Sequence, residues 1–82
     1  MRLDKYLKVS RLIKRRTVAN EACDAGKVLV NGKPARASYD VKIDDVITVS
    51  LGMRSLRVRV VSVKETVNKN DATLLYCVLP DE

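Results

Sequence analysis

Histidine, tryptophan and phenylalanine are absent from this chain of 82 residues. Without histidine it lacks the commonest general base and the commonest metal ligand. Ser10, Ser38, Ser50 and Cys23 therefore have no imidazole to activate them, and no serine stands three residues before a lysine. Cys23 and Cys77 alone cannot complete a tetrahedral zinc site unless carboxylates fill in. Gly26, Gly32 and Gly52 are too scattered to form a phosphate-cradling loop. The carboxylate pair Asp44-Asp45 falls in a turn setting, where neighbouring acids cap and solvate rather than share a proton. No catalytic residue, metal or cofactor is expected. Long apolar runs are missing too: nothing approaches the ~18 residues of a membrane span, and the charged start Met1-Arg2-Leu3-Asp4-Lys5 is unlike a signal peptide. The expectation is a cytoplasmic protein with reduced cysteines, each serving as a small buried hydrophobe.

What is present is a globular balance of 46% hydrophobic and 32% charged residues. A chain this short makes one domain, residues 1–82, with a modest core. Its charge is uneven. Residues 1–36 hold ten basic and three acidic side chains, net +7, whereas residues 37–82 hold six basic and seven acidic, net −1. Positive charge gathered at one end calls for a polyanionic partner.

The pattern along the chain is helical first. Leu3, Tyr6, Leu7 and Val9 have helical spacing over residues 3–9, with Asp4 in the first turn, where a carboxylate suits the dipole. Residues 15–25 form a second helix with Val18, Ala19, Ala22 and Cys23 on one face, stopped by Gly26. The period then changes to two. Val28 and Val30 lead into Asn31-Gly32, a strong hairpin signal, and Lys33-Pro34-Ala35 forms the return arm. Further strands are predicted at Val46–Val49, at Leu56–Val60 with a bulge at Val60-Val61, and at Leu74–Leu79 before Pro80. Residues 68–71 should be a loop. The fold class is α+β, with two N-terminal helices on a small, mostly antiparallel sheet. Leu3, Tyr6, Leu7, Val18, Ala22, Val28, Val30, Val46 and Ile47 are the expected core. Arg57 and Arg59 stripe one strand, and the simplest reading is a solvated face.

The basic cluster carries the functional signal. Arg2, Lys5, Lys8, Arg11, Lys14, Arg15 and Arg16 lie within the first 16 residues, opposed only by Asp4. Arg15 and Arg16 at the start of a helix oppose its dipole, a placement better tolerated if an anion arrives there. A membrane-surface helix needs a longer apolar face than seven residues provide. A DNA reader needs base-reading side chains, and Asn20, Glu21 and Asp24 are a poor set. Shape and phosphate contacts on a structured duplex or junction fit better.

At these residues the chain resembles a known family. Arg2-Leu3-Asp4-Lys5-Tyr6-Leu7, then Arg11, Lys14-Arg15-Arg16, Gly26 to Gly32 and Asp45-Val46-Ile47 follow one another in the order and spacing of the RNA-binding domain first described in small-subunit ribosomal protein S-four, also called the αL RNA-binding motif. The resemblance covers residues 1 to about 50, and residues 51–80 would be added strands. The opening is most similar to stand-alone bacterial members. One type is a small heat-shock protein of free large subunits; the other acts in ribosome-associated quality control. The absence of a basic extension beyond Glu82 points to the second type.

The resemblance implies a monomer that binds the rRNA of the split large ribosomal subunit together with peptidyl-tRNA, and assists RqcH in adding C-terminal alanine tails to stalled chains. It implies phosphate contacts at Arg2, Arg11, Lys14 and Arg16, with Arg16 foremost, and supporting charge from Lys5, Lys8 and Arg15. Asp4 would either orient an arginine or accept from an RNA 2′-OH or base edge, or else cap the helix. The alternatives are large-subunit recycling without RqcH, a basic adaptor for acidic proteins, and a DNA regulator.

Overall fold

The computed structural model describes residues 1–63 and 75–79. Two helices, α1 (Leu3–Val9) and α2 (Arg16–Asp24), precede five strands: β1 (Val28–Val30), β2 (Lys33–Pro34), β3 (Val46–Leu51), β4 (Arg54–Val60) and β5 (Tyr76–Val78). The strands form one antiparallel sheet in the order β2-β1-β3-β4-β5. Val28, Val30, Ile47, Val49, Val58 and Val60 pack from the sheet against Leu3, Tyr6, Leu7, Ile13, Ala19 and Cys23 in one core. The α+β class holds.

Arg2 at the N-cap of α1 makes no side-chain cap bond; tertiary carbonyls satisfy the first two amides and the Asp4 side chain the third. Leu3 N–H donates to the Tyr39 carbonyl at 2.8 Å, Asp4 N–H to the Ala37 carbonyl at 3.1 Å, and Lys5 N–H to Asp4 Oδ1 at 2.8 Å. The helix stops where Arg11 takes φ +61°, a left-handed conformation that returns Ile13 to the core. The end of α2 is a Schellman motif: Gly26 takes φ +73°, its N–H donates to the Cys23 carbonyl, and Lys27 N–H donates to the Ala22 carbonyl.

Asn31 (φ +53°) and Gly32 (φ +83°) form the expected two-residue turn between β1 and β2. A second tight hairpin was not expected. β3 and β4 run on to pair Leu51 with Arg54 around Gly52-Met53, so both strands exceed the expected 46–49 and 56–60. The bulge lies one residue later than expected: Val61 and Ser62 both donate to the Leu75 carbonyl, at 2.9 and 3.2 Å. The last strand is shorter than predicted. Leu74, Pro80 and the loop expected at 68–71 lie outside the described residues.

Three core assignments need correction. Val18 is 47% exposed, because Ala19 and Cys23 alone form the buried ridge of α2. Ala22 and Val46 are only partly buried. Cys77 is exposed, because its pairing with Arg59 puts it on the sheet face away from the helices, whereas Cys23 is buried as expected.

Candidate nucleic-acid interface

The first six residues and the first turns of α2 meet at one carboxylate. Asp4 is 3% exposed, yet four groups donate to it. Its Oδ1 accepts from Arg2 Nε at 3.2 Å and from Lys5 N–H at 2.8 Å. Its Oδ2 accepts from Arg16 Nε at 3.3 Å and from Asn20 Nδ2 at 3.3 Å. Burial alone would push the Asp4 carboxyl up, but the bonds from Asn20, Arg2, Arg16 and the Lys5 amide outweigh it and hold the group below the usual carboxylate range.

Asp4 accepts from the Lys5 amide in the first turn of α1, and it also fixes Arg2, two residues before it, and Arg16, 12 residues after it. The Arg2 and Arg16 side chains remain about half exposed, at 52% and 47%. Each spends its Nε on Asp4. Arg2 adds a longer bond from Nη2 to Asp4 Oδ2, at 3.5 Å; a guanidinium carries five donors in a rigid fork, so both half-exposed arginines keep donors to spare. Holding the cations in place lowers the ordering cost that a flexible side chain incurs on binding.

The structure treats the other predicted site residues differently. Lys8, Arg11, Lys14 and Arg15 are exposed, and among the described residues none has an ion-pair partner. Lys5 is half-buried beside the cluster. Arg15 is the N-cap of α2 and Arg16 its first residue, with no acidic side chain in that first turn and no side-chain cap bond. The amide end of α2 and the basic cluster thus share one edge of the molecule. Asn20 was dismissed from the sequence as a poor base reader. It lies four residues after Arg16 on the same helix face and closes the ring around Asp4, a spacing that could have revealed it.

A second buried acid, Asp45, does structural work. It accepts from Asn31 Nδ2 at 3.1 Å, Tyr39 OH at 2.8 Å and Lys42 N–H at 3.0 Å, while Asn31 Oδ1 accepts from Val46 N–H. Burial alone would raise its pKa, but the bonds from Lys42, Tyr39 and Asn31 outweigh it and bring the pKa below the ordinary carboxylate value. This ties the β1–β2 turn to the start of β3. Among the described residues there is no group of three metal-ligating side chains, and no helix is long and apolar enough to cross a membrane.

Comparison with known proteins agrees with this architecture. The S4 domain family model matches residues 1–47. The RQC P-site tRNA stabilizing factor of Bacillus subtilis is 50% identical over 82 residues, covering 100% of this chain and 95% of that protein. Its counterpart from Streptococcus pneumoniae is 47% identical over 81 residues, covering 99% and 92%. The solved structure of Vibrio cholerae Heat Shock Protein 15, described as trimeric, superposes with a TM-score of 0.89 at 30% identity, covering 96% of this chain and 81% of that one. A match over more than half the chain and full-length relatives at such identity leave one conclusion: the chain belongs to the S4 domain family, and within it to the RQC P-site tRNA stabilizing factors.

Proposed function

We propose that this protein is a non-catalytic RNA-binding factor of ribosome-associated quality control. In this reading it binds as a monomer to rRNA and peptidyl-tRNA on the split large subunit, in the cytoplasm, and assists RqcH-dependent alanine tailing. The observation that carries the proposal is the buried Asp4 holding Arg2 and Arg16 half-exposed at one basic edge. The names of the full-length relatives support the quality-control and tRNA parts. The motif supports Arg11 and Lys14 as further phosphate contacts, with Lys5, Lys8 and Arg15 adding field. Residues 1–82 act as one domain in this reading.

The test is sedimentation of cell extract. Wild-type protein should travel with free large subunits, and Arg16→Ala should remain at the top of the gradient. Wild type that fails to co-migrate at low salt would remove the ribosomal role. Alanine tails on stalled chains should disappear in a deletion strain; tails that persist would favour large-subunit recycling without RqcH.

A further inference from the structure

Beyond the Asp4 cluster the basic edge continues into a groove that the motif residues do not account for. Val30, Pro34 and Tyr39 line it together with Lys33, Arg36 and Ser38, and its volume is about 600 Å³. That is within the ~300–1,000 Å³ of small-molecule sites. Its walls are preformed. The Tyr39 hydroxyl is tied to Asp45 at 2.8 Å, Asn31 is tied to the same carboxylate, and the Tyr39 carbonyl accepts the first amide of α1. The lining combines apolar surface with two cations and has no carboxylate of its own. Lys33 and Arg36 are exposed, and among the described residues neither has an ion-pair partner. Arg36 also borders a neighbouring cleft with Arg2 and Asn20, which belong to the Asp4 cluster, and with Asp24, the one acid in its lining. One basic track therefore runs from Arg16 through Arg2 and Arg36 to Lys33.

We infer that this groove seats a single unpaired nucleotide of the bound RNA, its base against Val30, Pro34 and Tyr39 and its phosphate between Lys33 and Arg36. The inference rests on the RNA-binding reading above and adds to it a place where an extruded base is recognised. An apolar floor accepts a base face irrespective of sequence, and paired cations without acids select the phosphate. A fully paired duplex offers no free base to such a groove.

The experiment compares a paired RNA hairpin with a bulged form of it, identical except for one extra nucleotide and prepared in four versions, one for each base; each is bound to the full chain and followed by fluorescence anisotropy and amide chemical shifts. Wild type should prefer the bulged hairpin about tenfold. Amide shifts at Ala35, Ser38 and Tyr39 should appear with that hairpin alone. Lys33→Ala/Arg36→Ala, which alters only exposed side chains and should melt like wild type, should lose the preference yet still bind the paired hairpin. Arg16→Ala should weaken binding to both. Equal affinity of wild type for the two hairpins, or a preference that survives the double variant, overturns the groove while leaving the RNA-binding reading in place. Binding of neither RNA overturns both. Shifts of the groove amides with a glutamate-rich peptide but with neither hairpin would make it a protein site and also overturn the inference.

Discussion

At the scale of single residues, Asp4 is where stability and the proposed function coincide. Asp4→Asn keeps the shape and removes the charge that fixes Arg2 and Arg16. The pairs are half-exposed and screened, so the expected loss is about 1–2 kcal/mol at neutral pH. The sign follows from the lowered pKa of Asp4. A carboxylate favoured by folding stabilises above its unfolded value, near 3.8, and loses that contribution as pH falls through the folded value. The gap between wild type and Asp4→Asn, measured by denaturant unfolding, should be constant from pH 7 to about pH 5 and close below about pH 4. A gap that widens in acid would contradict the arrangement. The thiols offer a second check. Burial, aided by Asp4 and Asp24, raises the Cys23 thiol to about 11, so it stays protonated and shielded at neutral pH. One thiol per chain, Cys77, should react rapidly with an alkylating reagent in the native state, and Cys23 only on unfolding; mass spectrometry of the labelled peptides distinguishes them. The motif made Asp4 and Arg16 legible in the sequence. That they touch was not, because a contact across 12 residues depends on how two helices cross.

At the scale of elements, the connection between α1 and α2 stands out. Arg11 occupies a left-handed conformation that costs a side chain roughly 1–2 kcal/mol, against the 0.5–1 kcal/mol of extra chain entropy that glycine would lose. Arg11→Gly is therefore expected to raise stability by up to about 1 kcal/mol in thermal or denaturant unfolding. In the proposed function the same change weakens large-subunit binding, so stability and affinity should move in opposite directions. A stabilised variant with undiminished affinity would remove Arg11 from the interface. Element types were largely readable because their stop signals are local: Gly26 ends α2, and Asn31-Gly32 turns the first hairpin. The misses have equally physical origins. Gly52-Met53 is a two-residue turn with positive φ at its glycine alone, a weaker signal than Asn-Gly, so the pairing of Leu51 with Arg54 went unseen. Val18 read as core because the face of α2 is apolar over a wider arc than the two small residues it buries.

At the scale of the whole molecule, charge separates from core. The basic edge lies with the helices and the β1–β2 hairpin, and if about six phosphates are neutralised there, log affinity for large subunits should fall with log salt at a slope of roughly −4 to −5. A flat response would exclude phosphate contact as the source of affinity. The core, by contrast, is closed by a distant partner. The Tyr6 hydroxyl donates to the Leu75 carbonyl at 2.6 Å, both buried, and burial pushes the phenol's pKa well above its ordinary value. Tyr6→Phe removes one of three donors to that carbonyl, which keeps the Val61 and Ser62 amides, and should cost about 0.5–1.5 kcal/mol in denaturant unfolding.

That one bond spans 69 positions of the chain. During synthesis α1 and the first four strands are made before β5 exists, and at ~5–20 residues per second the stretch from Val60 to Tyr76 takes roughly one to three seconds. Until β5 joins, the β4 edge lacks its partner strand and the Tyr6 hydroxyl its acceptor, so the native core is complete only when the segment from Leu75 onward has left the ribosome.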